Sequence, residues 1–184
     1  MHSKSYRFLT PLIMVLTWAN MEAQTSHPVP RLVVNVTIDQ LRTDYMEAFS
    51  SLFGAGGFNK VMRDGRSYMD AAYPFSHIDR ASAVACIMTG TVPYDNGIVG
   101  EHWMDRKTLR PMYCVDDATC EGWLTSEKYS PVALNVSTVT DELKMATGGR
   151  ALVYSIAPDA DAAILAAGHA ADGAFWIDNA SGQW

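Results

Sequence analysis

Apolar residues come in short blocks, set apart by glycine, proline and small polar residues. Leu32-Val-Val-Asn-Val-Thr-Ile38 is almost continuous, and Asp39 closes it. The pattern of Arg31 to Ile38 suits a parallel strand covered on both faces. Leu41 to Phe53 reads as a helix broken by Gly54, Gly56 and Gly57, and Phe58 to Arg63 as a second helix stopped by Gly65. Tyr68 to Ala72 predicts a strand ended by Pro74. Ser76 to Arg80 predicts a loop, and Ala81 to Thr89 a helix ended by Gly90. The small residues Ala81, Ser82, Ala83 and Ala85 would let that helix pack closely against a sheet.

After a turn-rich connector, Pro93 to Gly100, the polar and aromatic stretch Glu101 to Tyr113 reads as a hairpin or a surface excursion. Thr138 stands three residues before Asp141, a capping-box spacing with Asp in place of Glu, and Gly148-Gly149 marks the stop of the helix. Ala151 to Ile156 predicts a strand, Asp161 to Ala167 a short helix, Ala174 to Ile177 a strand and Asn179 to Gly182 a turn. Strands alternate with helices, so the expected class is α/β: a mostly parallel sheet with helices on both faces.

The N-terminal stretch has a different character. Lys4 and Arg7 precede an apolar run, Phe8 to Ala19, too short to span a bilayer, and Met21-Glu22-Ala23 resembles the approach to a cleavage site. Residues 1–23 therefore read as a signal peptide and 24–184 as the exported part, with no stable membrane span after cleavage. A periplasmic or secreted location follows. The chain stops at Trp184 directly after a turn, so 24–184 is expected to be the N-terminal part of a longer domain. The 184 residues are 48% hydrophobic with a formal net charge of −6, and Lys and Arg are scattered, which argues against a nucleic-acid partner. In an oxidising compartment Cys114 and Cys120 could close a small loop, while Cys86, in an apolar helix, reads as a buried free thiol.

Several segments together resemble the alkaline phosphatase superfamily, in its type I phosphodiesterase/nucleotide pyrophosphatase branch. They are Val33-Val-Asn-Val-Thr-Ile-Asp-Gln-Leu-Arg-Thr-Asp-Tyr45, Gly56-Gly-Phe58, Met88-Thr-Gly-Thr-Val-Pro93, Gly97-Ile-Val-Gly100 with Trp103, and the run from Ala163 to Asp178. The look-alikes are periplasmic phosphatases with a threonine nucleophile. The resemblance implies an alkaline-phosphatase-like α/β fold, hydrolysis of a small phosphoester or binding of another anionic ligand, and two zinc ions. Asp39 matches a zinc-binding aspartate.

At four other positions the chain departs from the family. The nucleophile should lie ten residues before Gly90, and that position is Arg80. A guanidinium has no accessible deprotonated form and only donates hydrogen bonds, so it cannot attack phosphorus. An asparagine that helps hold a phosphate oxygen is replaced by Glu101, and a Lys and an Arg that grip the phosphoryl group by Asp159 and Asp161. Ser82 is a weak alternative nucleophile: two helical residues on, it points about 200° round from Arg80. Ser76, if its loop folds back, and a metal-bound water are further alternatives. His77 and Asp79 flank the site. His169 reads as a hydrogen-bonded structural histidine, and Asp172 matches a family segment without a known role.

Two readings follow. One is an exported, metal-dependent phosphoester hydrolase with a substituted nucleophile position. The other is a non-catalytic protein of the same fold, acting in binding or envelope assembly, in which Arg80 is expected to pair with Asp39.

Overall fold

A computed structural model of the protein describes residues 29–184. The expected signal peptide, 1–23, lies outside the described residues. Residues 29–33 belong to a separate compact unit, Met1–Val33, and are irregular and exposed. The remainder, Val34–Trp184, is the second unit.

Within it, α1 spans Thr43–Ala48, followed by a 3-10 turn at Ser50–Leu52, and α2 spans Gly57–Asp64. The helix expected over Leu41 to Phe53 is therefore split. Next come α3 (Arg80–Thr89) and a one-turn helix, α4 (Pro93–Asn96). Strands β1 (His102–Met104) and β2 (Pro111–Tyr113) pair antiparallel, as the expected hairpin. Then follow α5 (Val139–Ala146), β3 (Tyr154–Ile156), α6 (Ala160–Ala167) and β4 (Gly173–Phe175). β3 and β4 pair in parallel across α6, a β-α-β crossover that makes the class α/β.

Local chemistry sets the helix ends. Thr138 caps α5 and Asp141 reciprocates, completing the expected capping box. Asp79 caps α3 in the same way with Ser82, and Gly90 ends that helix in the left-handed conformation at φ 68°. The small residues of α3 do not face a sheet. Ala81, Val84, Ala85 and Met88 pack with Ala160, Ile164 and Leu165 of α6, and Ile98, Val115 and Leu134 complete the core. Small side chains bring the two helices close, so that their N-termini meet.

Two expected strands are absent. Tyr68 to Ala72 is irregular. Residues 32–38 form no strand and make no ladder hydrogen bond among the described residues, and Val34 and Val36 are 71% and 73% exposed. A buried strand needs a hydrogen-bonded neighbour and covering layers, and the described residues supply this segment with neither. The loop that Cys114 and Cys120 could close is not formed: both are free thiols, as is Cys86, which is free as expected but only partly buried. Cys114 is fully buried in the core, whereas the Cys120 Sγ is turned to the Tyr129 carbonyl, 3.1 Å away.

Candidate functional site

The site lies where the N-termini of α3 and α6 meet. Arg80 opens α3; Asp159 stands at the N-cap position of α6, without a side-chain cap hydrogen bond, and Asp161 lies in its first turn. Acidic residues are favoured at a helix N-terminus, where free N–H groups carry partial positive charge, and a cation such as Arg80 is not. Asp79 offsets that penalty. Its Oδ1 accepts hydrogen bonds from the Ser82 N–H (2.9 Å) and the Ser82 hydroxyl (2.8 Å). Its Oδ2 accepts the Glu101 backbone N–H at 2.6 Å, which ties the start of the hairpin to the helix. Burial pushes the Asp79 carboxyl up, but these donors, with the charge of His77, hold it below the ordinary value.

Arg80 is gripped from three directions. Nε donates to both Asp161 oxygens at 3.2 and 3.1 Å, and Nη2 lies 3.1 Å from Oδ1. Nη1 lies 3.0 Å from Asp159 Oδ2, and Nη2 lies 3.6 Å from Glu101 Oε1. The Asp161 side chain is 0% exposed, against 46% for Asp159 and 38% for Glu101. Burial lowers the tendency of Arg80 to stay charged, and the carboxylates outweigh it, so its pKa is raised. Tyr113 accepts the Asp161 backbone N–H on its hydroxyl at 3.2 Å, bracing the first turn of α6 against β2. Burial, reinforced by the Asp161 charge, raises the Tyr113 phenol pKa.

Glu101, Asp159, Asp161 and Arg80 thus converge, although Arg80 and Asp161 are 81 residues apart. Arg80 does not pair with Asp39, contrary to the expectation. Asp39 sits exposed in the turn after residues 32–38, near Tyr73, whose phenol is raised by burial and by the charges of Cys86 and Asp39. Ser82 is fully buried and committed to the cap of α3. Ser76 stays in an exposed loop.

His169 spans two acceptors, the Asp141 carboxylate and the Leu134 carbonyl, each 3.0 Å away. Asp172 binds Lys144 and the Val153 N–H. Both are structural contacts. The positioning roles of Asp79 and Tyr113 were not legible from residue type; for Asp79, the three-residue step to Ser82 was the available signal.

Beside the cluster lies a cleft of about 250 Å³, lined by Arg80, Glu101, Tyr113, Glu127, Tyr129 and Asp159 among others. One guanidinium among three carboxylates leaves two negative charges uncompensated. Each unit of charge on an entering phosphate would meet repulsion on the order of 4 kcal/mol per carboxylate at ~4 Å. A zinc site does not fit these residues either. Among the described residues no group of three or more His, Cys, Asp or Glu side chains is placed to hold a metal ion, and the carboxylates that do converge are spent on Arg80.

Residues 33–182 match the family described as type I phosphodiesterase / nucleotide pyrophosphatase. The chain belongs to this family. Alkaline phosphatase PhoV of Synechococcus elongatus (strain ATCC 33912 / PCC 7942 / FACHB-805) is 40% identical over 158 residues, which cover 84% of this chain and 29% of that protein. The crystal structure of wild-type alkaline phosphatase PafA matches with a TM-score of 0.73 at 32% identity, over 85% of this chain and 31% of that one. A PafA variant matches with a TM-score of 0.72 at 35% identity, again over 85% and 31%. That variant is substituted at a threonine and an asparagine 21 residues apart, and at a lysine and an arginine two residues apart. The chain spans about a third of the length of the relatives it matches. Its α/β fold is that of this family of phosphoric ester hydrolases. No helix among the described residues is long and apolar enough to cross a membrane.

Proposed function

We propose that this is an exported, alkaline-phosphatase-fold protein that acts in binding, and that the position of its family's phosphoryl-transfer site holds an ion cluster. One observation carries the reading: Arg80 lies within 3.6 Å of all three carboxylates that stand at the family's phosphate-holding positions. The PafA variant supports the correspondence. Arg80 and Glu101 are 21 residues apart and Asp159 and Asp161 two apart, the same separations as its threonine–asparagine and lysine–arginine pairs. The gap between the pairs is 62 residues there and 58 here. The nucleophile became a cation and the three phosphate-holding groups became anions, so each change makes sense of the others. Export rests on residues 1–23, and the N-terminus of the mature protein, read by mass spectrometry, tests it.

Phosphoester hydrolysis is the second reading, favoured by the 40% identity to PhoV. It would need a nucleophile other than Arg80, and Ser82 is buried and bonded to Asp79. Turnover of a phosphate monoester and a phosphodiester by the full-length protein with added zinc, with Asp39→Ala as the control, separates the two. The binding reading expects no turnover above the control. Turnover that Asp39→Ala abolishes would overturn it.

A further inference from the structure

We propose that Arg80 is a tethered ligand: its guanidinium fills, from within the chain, a site whose three carboxylates select a forked cation and reject oxyanions. The inference rests on the binding reading above and adds the class of ligand that the site takes.

The geometry is that of a bound guanidinium more than of a surface ion pair. Nε and Nη2 approach one fully buried carboxylate, Asp161, side by side. This is the fork that suits guanidinium and that a compact ammonium does not reproduce. Nη1 reaches Asp159, and Nη2 also faces Glu101. Among the described residues no hydrogen bond reaches the Asp161 carboxylate from a second donor, so within them its satisfaction depends on this one group. Two of the three backbones that carry the carboxylates are anchored independently of Arg80: Asp79 holds the Glu101 N–H and the Tyr113 hydroxyl holds the Asp161 N–H, while Asp159 stands at the N-cap position of α6. Deleting the Arg80 side chain therefore leaves three carboxylates beside an open cleft, and a free cation of the same shape has a route in.

The test is chemical rescue. Thermal unfolding of the full-length protein and of Arg80→Ala is followed with methylguanidinium chloride, with equal sodium chloride, and with inorganic phosphate. Arg80→Ala should melt lower than the parent and recover saturably with millimolar methylguanidinium, while the parent does not respond. Phosphate should raise neither melting temperature beyond the salt control. Should Arg80→Ala not accumulate folded, refolding yield replaces melting as the readout: a yield restored by methylguanidinium and not by sodium chloride supports the proposal, and no difference overturns it. Equal responses of the two proteins, or stabilisation of the parent by phosphate, also overturn it. Phosphoester turnover, which decides the binding reading, is a separate observable, so the two failures are told apart.

Discussion

Removing Arg80 while keeping Asp161 leaves a buried carboxylate without its partner. Asp161 is 0% exposed, and among the described residues both hydrogen bonds to its carboxylate come from the guanidinium, at 3.1 and 3.2 Å. Breaking a buried pair by deleting one partner costs about 3–5 kcal/mol, because the other charge remains buried. The contacts to Asp159 and Glu101 are partly exposed and add roughly 0.2–1 kcal/mol each. Arg80→Leu should therefore destabilise the protein by about 4 kcal/mol. Arg80→Leu with Asp161→Leu removes both charges together, and such replacements are often neutral or stabilising, so the double variant should regain at least ~2 kcal/mol. Urea unfolding of the four proteins in a double-mutant cycle measures this coupling. Additive single effects, or a loss below about 1 kcal/mol for Arg80→Leu, would refute the reasoning.

Three further outcomes follow from the same contacts. Burial pushes the Asp141 carboxyl up, but the Thr138 N–H, His169 and the Ala170 N–H outweigh it and lower its pKa to about 2. A depressed carboxyl stabilises the fold above its unfolded value near 3.8 and loses that contribution as pH falls towards 2. Asp141→Asn should therefore remove roughly 2 kcal/mol of stability at neutral pH and flatten the acid limb of the unfolding curve. Gly168 has φ 79°, and a Cβ there would overlap Thr138 Oγ1 and sit 2.9 Å from both Asp141 oxygens. Gly168→Ala should cost more than about 1 kcal/mol in denaturant unfolding. Non-reducing mass spectrometry should find three thiols and no disulfide, with Cys114, buried and with its pKa raised, alkylated last under native conditions.

Helix ends were the most legible part of the fold, because the chemistry that sets them is local. Thr138 with Asp141, and Gly90 after Thr89, need only their own neighbours to act. The hairpin also follows from short-range pattern, whereas His169 is held by partners 28 and 35 residues away. Residues 32–38 show the opposite case. An apolar run specifies a buried strand only where partners exist to pair with and cover it, and here the segment stays irregular and exposed. The partner of Arg80 was missed for a related reason. Asp39 was the carboxylate that the family resemblance offered, while two of the three real partners, Asp159 and Asp161, lie at the start of α6, brought near by the packing of small residues in the two helices, and the third, Glu101, precedes β1. A signal was nonetheless present in the sequence. One position had gained a positive charge and three others had turned negative, and complementary reversals of that kind point to side chains that meet.

The central claim is that the four residues together replaced a phosphate-binding arrangement. The most direct test is calorimetric titration of inorganic phosphate into two full-length proteins. One is the parent; the other carries Arg80→Thr, Glu101→Asn, Asp159→Lys and Asp161→Arg together, the residue types that the PafA variant's substitutions name at the corresponding spacing. The account predicts no saturable heat with the parent and saturable binding with the fourfold variant. Saturable phosphate binding by the parent, with Arg80 and its three carboxylates in place, would contradict it.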